Sequence, residues 1–380
     1  MRNVKLLIDF FFQFLLLFLN IYVFIYNLKK IINHKVILIF RDGGFGHQFV
    51  FSDLSRHFYK DNTKVLVIFF YDQKRYNRYL YDFLGINYIL FKSTISIHLL
   101  SKIYVFGDYE RLTRGFRYLT NFIIFLINFF CIKSKIFDRQ GFYKKIETIY
   151  RNSKIKRTSY PISHLGKRHP SYVDMYFFFV NRKKKKKFFY NSLELSKINY
   201  FSLDRSVKSA KVCIFYLRYK NANHPEDNLR NGAGNLNYYR SSINYLLNKN
   251  YKIYFFGDLN PYRRQIKKMV NCFTSNDFNV SEDFFQCYVS SFANLFISEC
   301  GGAQYFGLYS KISILINCLP IGHLPPFDLI VNKKIKKPNG SYFSEKEAER
   351  LYKYCFNFDN NKPELVSSFD LNRKIRKIII

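Results

Sequence analysis

Residues 294–317 read NLFISECGGAQYFGLYSKISILIN. Asn294 to Ser298 is a short apolar run, long enough for a strand and too short for a helix. Glu299, Cys300, Gly301 and Gly302 then make a turn into a short helix, and a second apolar run occupies Ile312 to Asn317. Strand, glycine turn, helix and strand in this order form one unit of a parallel sheet covered on both faces. Ligands of such sheets lie beyond the carboxyl ends of the strands, so the residues just after a strand carry the most weight. Here Gly301 and Gly302 let the backbone approach a pyrophosphate, and a helix N-terminus favours its charge. Ser298, Glu299 and Gln304 are candidates to bond ribose or sugar hydroxyls. The competing reading is the ordinary turn of a structural sheet.

The same alternation extends upstream. Residues 211–218 (KVCIFYLR) and 252–257 (KIYFFG) read as strands. Asn237 is a candidate cap for a helix carrying Tyr239, Ile243, Leu246 and Leu247 on one face. A helix through Pro261 to Val270 and an amphipathic one around Phe284 to Phe292 complete the pattern. Arg218 stands at the end of its strand, before a polar loop with His224, Glu226, Asp227, Arg230, Gly232 and Gly234. An arginine there is placed to grip a phosphate bidentately, with Arg230 as a second candidate. Downstream, Ser344 and Glu347 have the spacing of a capping box.

The first half repeats the theme. Residues 36–40, 65–70, 86–91 and 102–107 read as strands, with helices over about 47–59 and 76–84. After the first strand comes Asp42-Gly43-Gly44-Phe45-Gly46-His47. It fails the GxGxxG spacing and lacks the GK[ST] of a Walker loop, so it is neither nucleotide fingerprint. Gly43, Gly44 and Gly46 shape a strand-to-helix turn, and Asp42 and His47 bracket it as candidate bases for an acceptor hydroxyl.

A length of 380 residues suits two domains, and 48% apolar residues supports their cores. The formal charge of +34 is spread along the chain, apart from the run Arg182 to Lys187, which reads as a solvated loop. It favours an anionic partner such as a membrane surface, while no zinc spacing, RNA-recognition signature or helix-turn-helix pattern points to specific nucleic acid binding. Seven cysteines, with no CxxC, read as buried free thiols of a reducing compartment. Residues 6–28 are almost wholly apolar and followed by Lys29, Lys30 and Lys35. They are expected to span the membrane or to lie in its interface, with the body on the cytoplasmic face of the plasma membrane. Burial within the globular fold is the third option. Residues 118–132 are too short to span and read as a buried or interfacial helix.

The expected fold is therefore α/β: an apolar N-terminal membrane helix (1–35), then two Rossmann-like doubly wound domains over 36–205 and 206–380. The segment 294–317 resembles the C-terminal donor motif of B-type glycosyltransferases. The stretch from Val212 through Arg218 and Tyr238-Tyr239 to Gly257-Asp258 is similar to a block of fucosyltransferase-like enzymes and bacterial surface-polysaccharide glycosyltransferases. Asn317-Cys318-Leu319-Pro320 and Phe343-Ser344 to Glu347 match two later elements of the latter group. The resemblance implies a metal-independent transferase, without a resident cofactor. It would use a nucleotide-sugar donor and a glycan or lipid-linked acceptor, with Arg218 on the donor diphosphate and Gly301 and Gly302 beside the nucleotide. The alternative is a non-catalytic, basic, membrane-bound scaffold for polysaccharide or nucleic acid.

Overall fold

The computed structural model describes residues 2–40, 45–59, 65–71, 77, 79–92, 121–152, 176, 200–218, 232–299, 301–318, 327–344, 347–348 and 362–379. The chain forms two compact units, Met1–Asn152 and Ser153–Ile380.

In the first unit α1 (Arg2–Tyr26) and α2 (Leu28–Ile32) precede β1 (Val36–Phe40), α3 (Phe45–Phe58) and β2 (Val65–Tyr71). Then come α4 (Leu80–Leu84), β3 (Tyr88–Lys92), a helix over 121–130 (α5), β4 (Lys135–Asp138) and α6 (Arg139–Asn152). The four strands form one parallel sheet in the order β3-β2-β1-β4. Their continuous apolar runs follow from coverage on both sides. Ile37, Ile39, Leu66, Ile68 and Phe70 point to one face, where they meet Phe24 of α1, Ile31 of α2, and Ile123 and Ile127 of α5. The alternate residue Phe40 faces the other side and packs on Phe51 of α3 and Phe142 of α6. The Gln48 and Arg56 side chains of α3 tie it to the α4 region, Gln48 bonding the Asn77 main chain and Arg56 donating to the Leu84 carbonyl.

Helix α1 corrects the reading of residues 1–35 as a spanning anchor. Leu16, Asn20 and Phe24, four residues apart, are buried, and the helix packs along β3. Helix α1 gives one side to the protein, with Asn20 inside it. Among the described residues no helix is long and apolar enough to cross a membrane.

The second unit comprises α7 (Phe201–Lys208), β5 (Lys211–Leu217), a 3-10 turn (Leu236–Tyr239), α8 (Arg240–Asn248), β6 (Tyr251–Gly257), α9 (Arg263–Ile266) and β7 (Cys272–Phe273). It continues through α10 (Glu282–Ser290), β8 (Ala293–Glu299), a 3-10 helix (Gly302–Tyr309), β9 (Ile312–Cys318) and β10 (Leu329–Asn332). The small pair β11 (Lys334–Lys336) and β12 (Lys362–Glu364) and the terminal α11 (Ser368–Ile378) complete it. Six strands form a parallel sheet in the order β10-β9-β8-β5-β6-β7. Phe215, Leu217, Phe255, Leu295, Ile297, Ile314 and Ile316 share one face with α8, α9 and α11. On the other face Phe285 of α10 packs against Tyr254 and Phe256. The sheet is thus doubly wound, and the strand order reverses between β5 and β8.

Local details depart from the sequence expectations. The cap is Asn235, whose side chain accepts from the Asn237 N–H (2.9 Å), so Asn237 lies one turn inside. The helix over 261–270 shrinks to Arg263–Ile266, and the one over 76–84 to Leu80–Leu84. The turn at Gly302 opens a 3-10 helix instead of an α-helix. The Ser344–Glu347 capping box forms, with the Ser344 N–H donating to the Glu347 carboxylate at 2.8 Å. Cys131, Cys213, Cys272, Cys287 and Cys318 are free and buried. The expected strand over 102–107 and the basic run 182–187 lie outside the described residues.

Candidate functional site

A doubly wound sheet opens a crevice where its strand order reverses, because the loops after the two flanking strands leave in opposite directions. In the second unit that point lies between β5 and β8. Arg218 is the first residue after β5, and Glu299 is the last of β8. The two motifs singled out in the sequence therefore flank one switch point.

Their main link is a buried carboxylate. Glu299 is fully buried. Its Oε2 accepts the Arg218 backbone N–H at 2.5 Å, and its Oε1 accepts from the Tyr239 hydroxyl and from Asn317 Nδ2 at 3.1 Å. Asn317 Nδ2 also donates to the Tyr239 oxygen at 2.8 Å. Asn317, the last residue but one of β9, has φ of 55°, a left-handed conformation that asparagine tolerates better than most residues. Glu299 thus binds together the carboxyl ends of β5, β8 and β9 and the start of α8.

The loop returning to this edge is held as tightly. The Gly232 N–H donates to the Arg218 carbonyl at 2.8 Å, and the Gly234 N–H to the Tyr262 hydroxyl at 3.0 Å. The Leu236 N–H donates to Gln265 Oε1 at 2.9 Å. A Cβ on Gly232 would stand 1.7 Å from Glu299 Oε1, so only glycine lets this loop pass the carboxylate. On the other side of the edge, a Cβ on Gly301 would stand 2.6 Å from the Tyr216 hydroxyl. Backbone therefore lines the edge where side chains would fill it.

Burial holds the Glu299 carboxyl above its ordinary value, against the pull of the Tyr239, Arg218 and Asn317 donors and the Lys333 charge. Burial also pushes the Tyr239 hydroxyl well up, and the Glu299 charge adds to it. A carboxyl raised by folding stabilises the fold while protonated. Its contribution is complete below about pH 4.5, the ordinary glutamate value, and is lost as the pH rises through the higher folded value. Glu299→Gln, which cannot ionise, is therefore expected to gain stability relative to the wild type as pH climbs from 4 to 8. Urea unfolding of both chains across that range checks it; a constant difference would mean that the carboxyl does not titrate with folding.

The remaining expected site residues sort by their bonds. The Ser298 hydroxyl donates to the Glu299 carbonyl at 2.8 Å and is buried in the sheet. Gln304 Oε1 accepts the Gly301 N–H at 3.2 Å, so it closes the turn that was expected to present that N–H to a ligand. Arg218 is nearly buried, 9% exposed. Arg230 and Cys300, with Asp42, Gly43 and Gly44, lie outside the described residues. Gly46 and His47 form the first turn of α3, after β1 and thus at the reversal point of the first sheet, between β1 and β4. Sequence reasoning missed Asn317 as a structural partner. Its signal is a lone amide closing an apolar strand.

No family model and no curated protein sequence matches the chain. Solved structures with a similar fold include a glycosyl transferase family 9 protein of Veillonella parvula DSM 2008, at 11% identity, with 91% of this chain and 98% of that one covered and a TM-score of 0.46. They include the E. coli ADP-heptose LPS heptosyltransferase II, at 9% identity, 91% and 100% coverage and a TM-score of 0.44. A UDP-GlcNAc 2-epimerase of Neisseria meningitidis bound to UDP-GlcNAc follows at 12% identity, 90% and 98% coverage and a TM-score of 0.31. Likenesses of this size leave the functional reading to the site itself.

Proposed function

We propose that this protein is a glycosyltransferase that moves a sugar from a nucleotide-diphosphate sugar to a hydroxyl of a cell-surface glycan or lipid-linked acceptor. It would work without a bound metal, at the cytoplasmic face of the plasma membrane. The observation that carries the reading is the pairing of Arg218 with glycine-lined backbone at the switch point of the second sheet, around the buried Glu299. A nucleoside diphosphate needs close backbone approach and a cation, the roles this reading assigns to Gly301 and Gly302 and to Arg218.

In the proposed reaction the acceptor oxygen attacks the anomeric carbon as the bond from that carbon to the diphosphate oxygen breaks. The hydroxyl proton passes to a base, for which Asp42 and His47 in the first unit are the candidates. The departing diphosphate carries the negative charge, which the Arg218 guanidinium is assigned to stabilise. Arg230 and the Gly301-Gly302 backbone are assigned to the donor as well.

Thermal unfolding of the full chain with UDP, GDP, CMP, ADP and dTDP tests the reading. One nucleotide is expected to stabilise the chain, by ~2.7 kcal/mol at a hundredfold excess over Kd. A folded chain indifferent to all five would remove the transferase reading in favour of a binding scaffold.

A further inference from the structure

We infer that α1 and α5 together form an in-plane docking surface for an anionic lipid bilayer, independently of the chemistry proposed above. Both helices turn one side to the same core. Phe24 of α1 and Ile123 and Ile127 of α5 belong to one cluster, and the Phe24 and Phe130 rings lie 5.8 Å apart. The two helices are therefore neighbours on one face of the first sheet.

Their other sides are apolar as well, which the core does not require. On α1, Phe11, Phe14, Phe18, Tyr22 and Ile25 recur at three- and four-residue steps and are exposed, Tyr22 by 66%. On α5, Phe122, Phe125 and Phe129 repeat the spacing, with Phe125 exposed by 61%, and Ile132 follows in the turn after the helix. Aromatic ridges on two adjoining helices make a patch that a soluble surface does not keep without a partner.

Charge selects the partner. No acidic residue occurs in 10–35 or in 121–135. Lys29 of α2, Lys35, Lys133 and Lys135 are exposed in the segments that follow α1 and α5. Those segments meet where β1 and β4 begin to pair: the Lys135 N–H donates to the Lys35 carbonyl at 2.9 Å, and the Ser134 hydroxyl to the His34 carbonyl at 2.6 Å. Lys30 turns inward to the Tyr88 carbonyl. The result is an aromatic face bordered along one edge by lysines, the pattern of a helix lying at the level of lipid headgroups. The aromatic rings would enter the acyl boundary, and the lysines would meet headgroup phosphates. A second copy of this chain, at +34, is repelled overall by the lysine edge.

Flotation of the full chain with vesicles of phosphatidylcholine alone, or with added phosphatidylglycerol, tests the surface. Binding to the anionic vesicles is expected to exceed that to the neutral ones by roughly tenfold or more, and to weaken in high salt. The double variants Phe14→Ser/Phe18→Ser and Phe125→Ser/Phe129→Ser are each expected to lose binding to the anionic vesicles by a similar factor. Because these side chains lie outside the core, both should unfold at the wild-type temperature. A chain that stays off anionic vesicles overturns the inference. So do ridge variants that bind like the wild type, or sedimentation showing that a dimer dissociated by the same substitutions covers the ridges.

Discussion

Replacing Glu299 with leucine is expected to cost the Ser153–Ile380 unit about 3 kcal/mol of stability, the balance of two opposed effects. Leucine is one atom shorter and has no charge, so it removes the cost of keeping a carboxylate dry. It also strands three buried donors: the Arg218 N–H, the Tyr239 hydroxyl and the Asn317 amide. A buried donor without an acceptor costs about 1–3 kcal/mol, so the stranded donors outweigh the relief of no longer keeping one carboxyl dry. Glutamine separates the terms. It keeps one acceptor oxygen, and a turned-round Asn317 amide can accept from its nitrogen, so Glu299→Gln is expected to cost about 1 kcal/mol. Urea unfolding at pH 7 measures both. A leucine variant as stable as the wild type would mean that the cage contributes nothing and that the strand ends are fixed by packing alone.

That cage marks the boundary of what the sequence reveals. The strands were legible because each is a short, largely apolar run, unbroken in Val36 to Phe40 and Val65 to Phe70, and a parallel sheet buried on both faces demands it. The glycine turn was legible because glycine after a strand has few other uses. Pairing was not. The strand order that brings Arg218 to Glu299 is set by crossovers, and nothing local to either residue records it. Asn317 reaches Glu299 only because its left-handed backbone changes the alternation at the end of β9, and Gly232 matters only because the carboxylate is behind it. At the N-terminus the reverse holds. The apolar run 6–28 overstated one property, since composition alone cannot separate a helix wrapped by lipid from one with a side on protein; the burial of Asn20 decides it. The roles of Glu299 and Gln304 were also read too far outward. A polar residue after a strand can serve the ligand or the turn that shapes the ligand's place, and both of these have internal partners.

Arg218→Ala is expected to leave the fold unchanged and to weaken nucleotide-diphosphate binding by roughly a hundredfold or more. The first half of this expectation follows from how residue 218 joins the cage. Its N–H donates to Glu299 and its carbonyl accepts from Gly232, and both are main-chain groups that alanine keeps. The unligated variant therefore keeps both of these bonds, whereas Glu299→Leu loses the first, and its own unfolding curve is the reference for protection. The second half follows from the side chain alone. At a concentration that gives the wild type ~2.7 kcal/mol of protection, a hundredfold rise in Kd leaves only about 0.4 kcal/mol. Arg218→Lys should restore a small part, because an ammonium keeps the charge and loses the planar fork that grips two phosphate oxygens. Measured together, the three unfolding curves separate scaffold from site. Loss of protection with an intact apo transition places the guanidinium on the diphosphate. Protection retained by the alanine variant removes Arg218 from the donor site and leaves its main chain as its contribution, as one more bond in the Glu299 cage. Loss of the apo transition itself would show that the buried guanidinium supports the fold, and the assignment would then pass to Arg230.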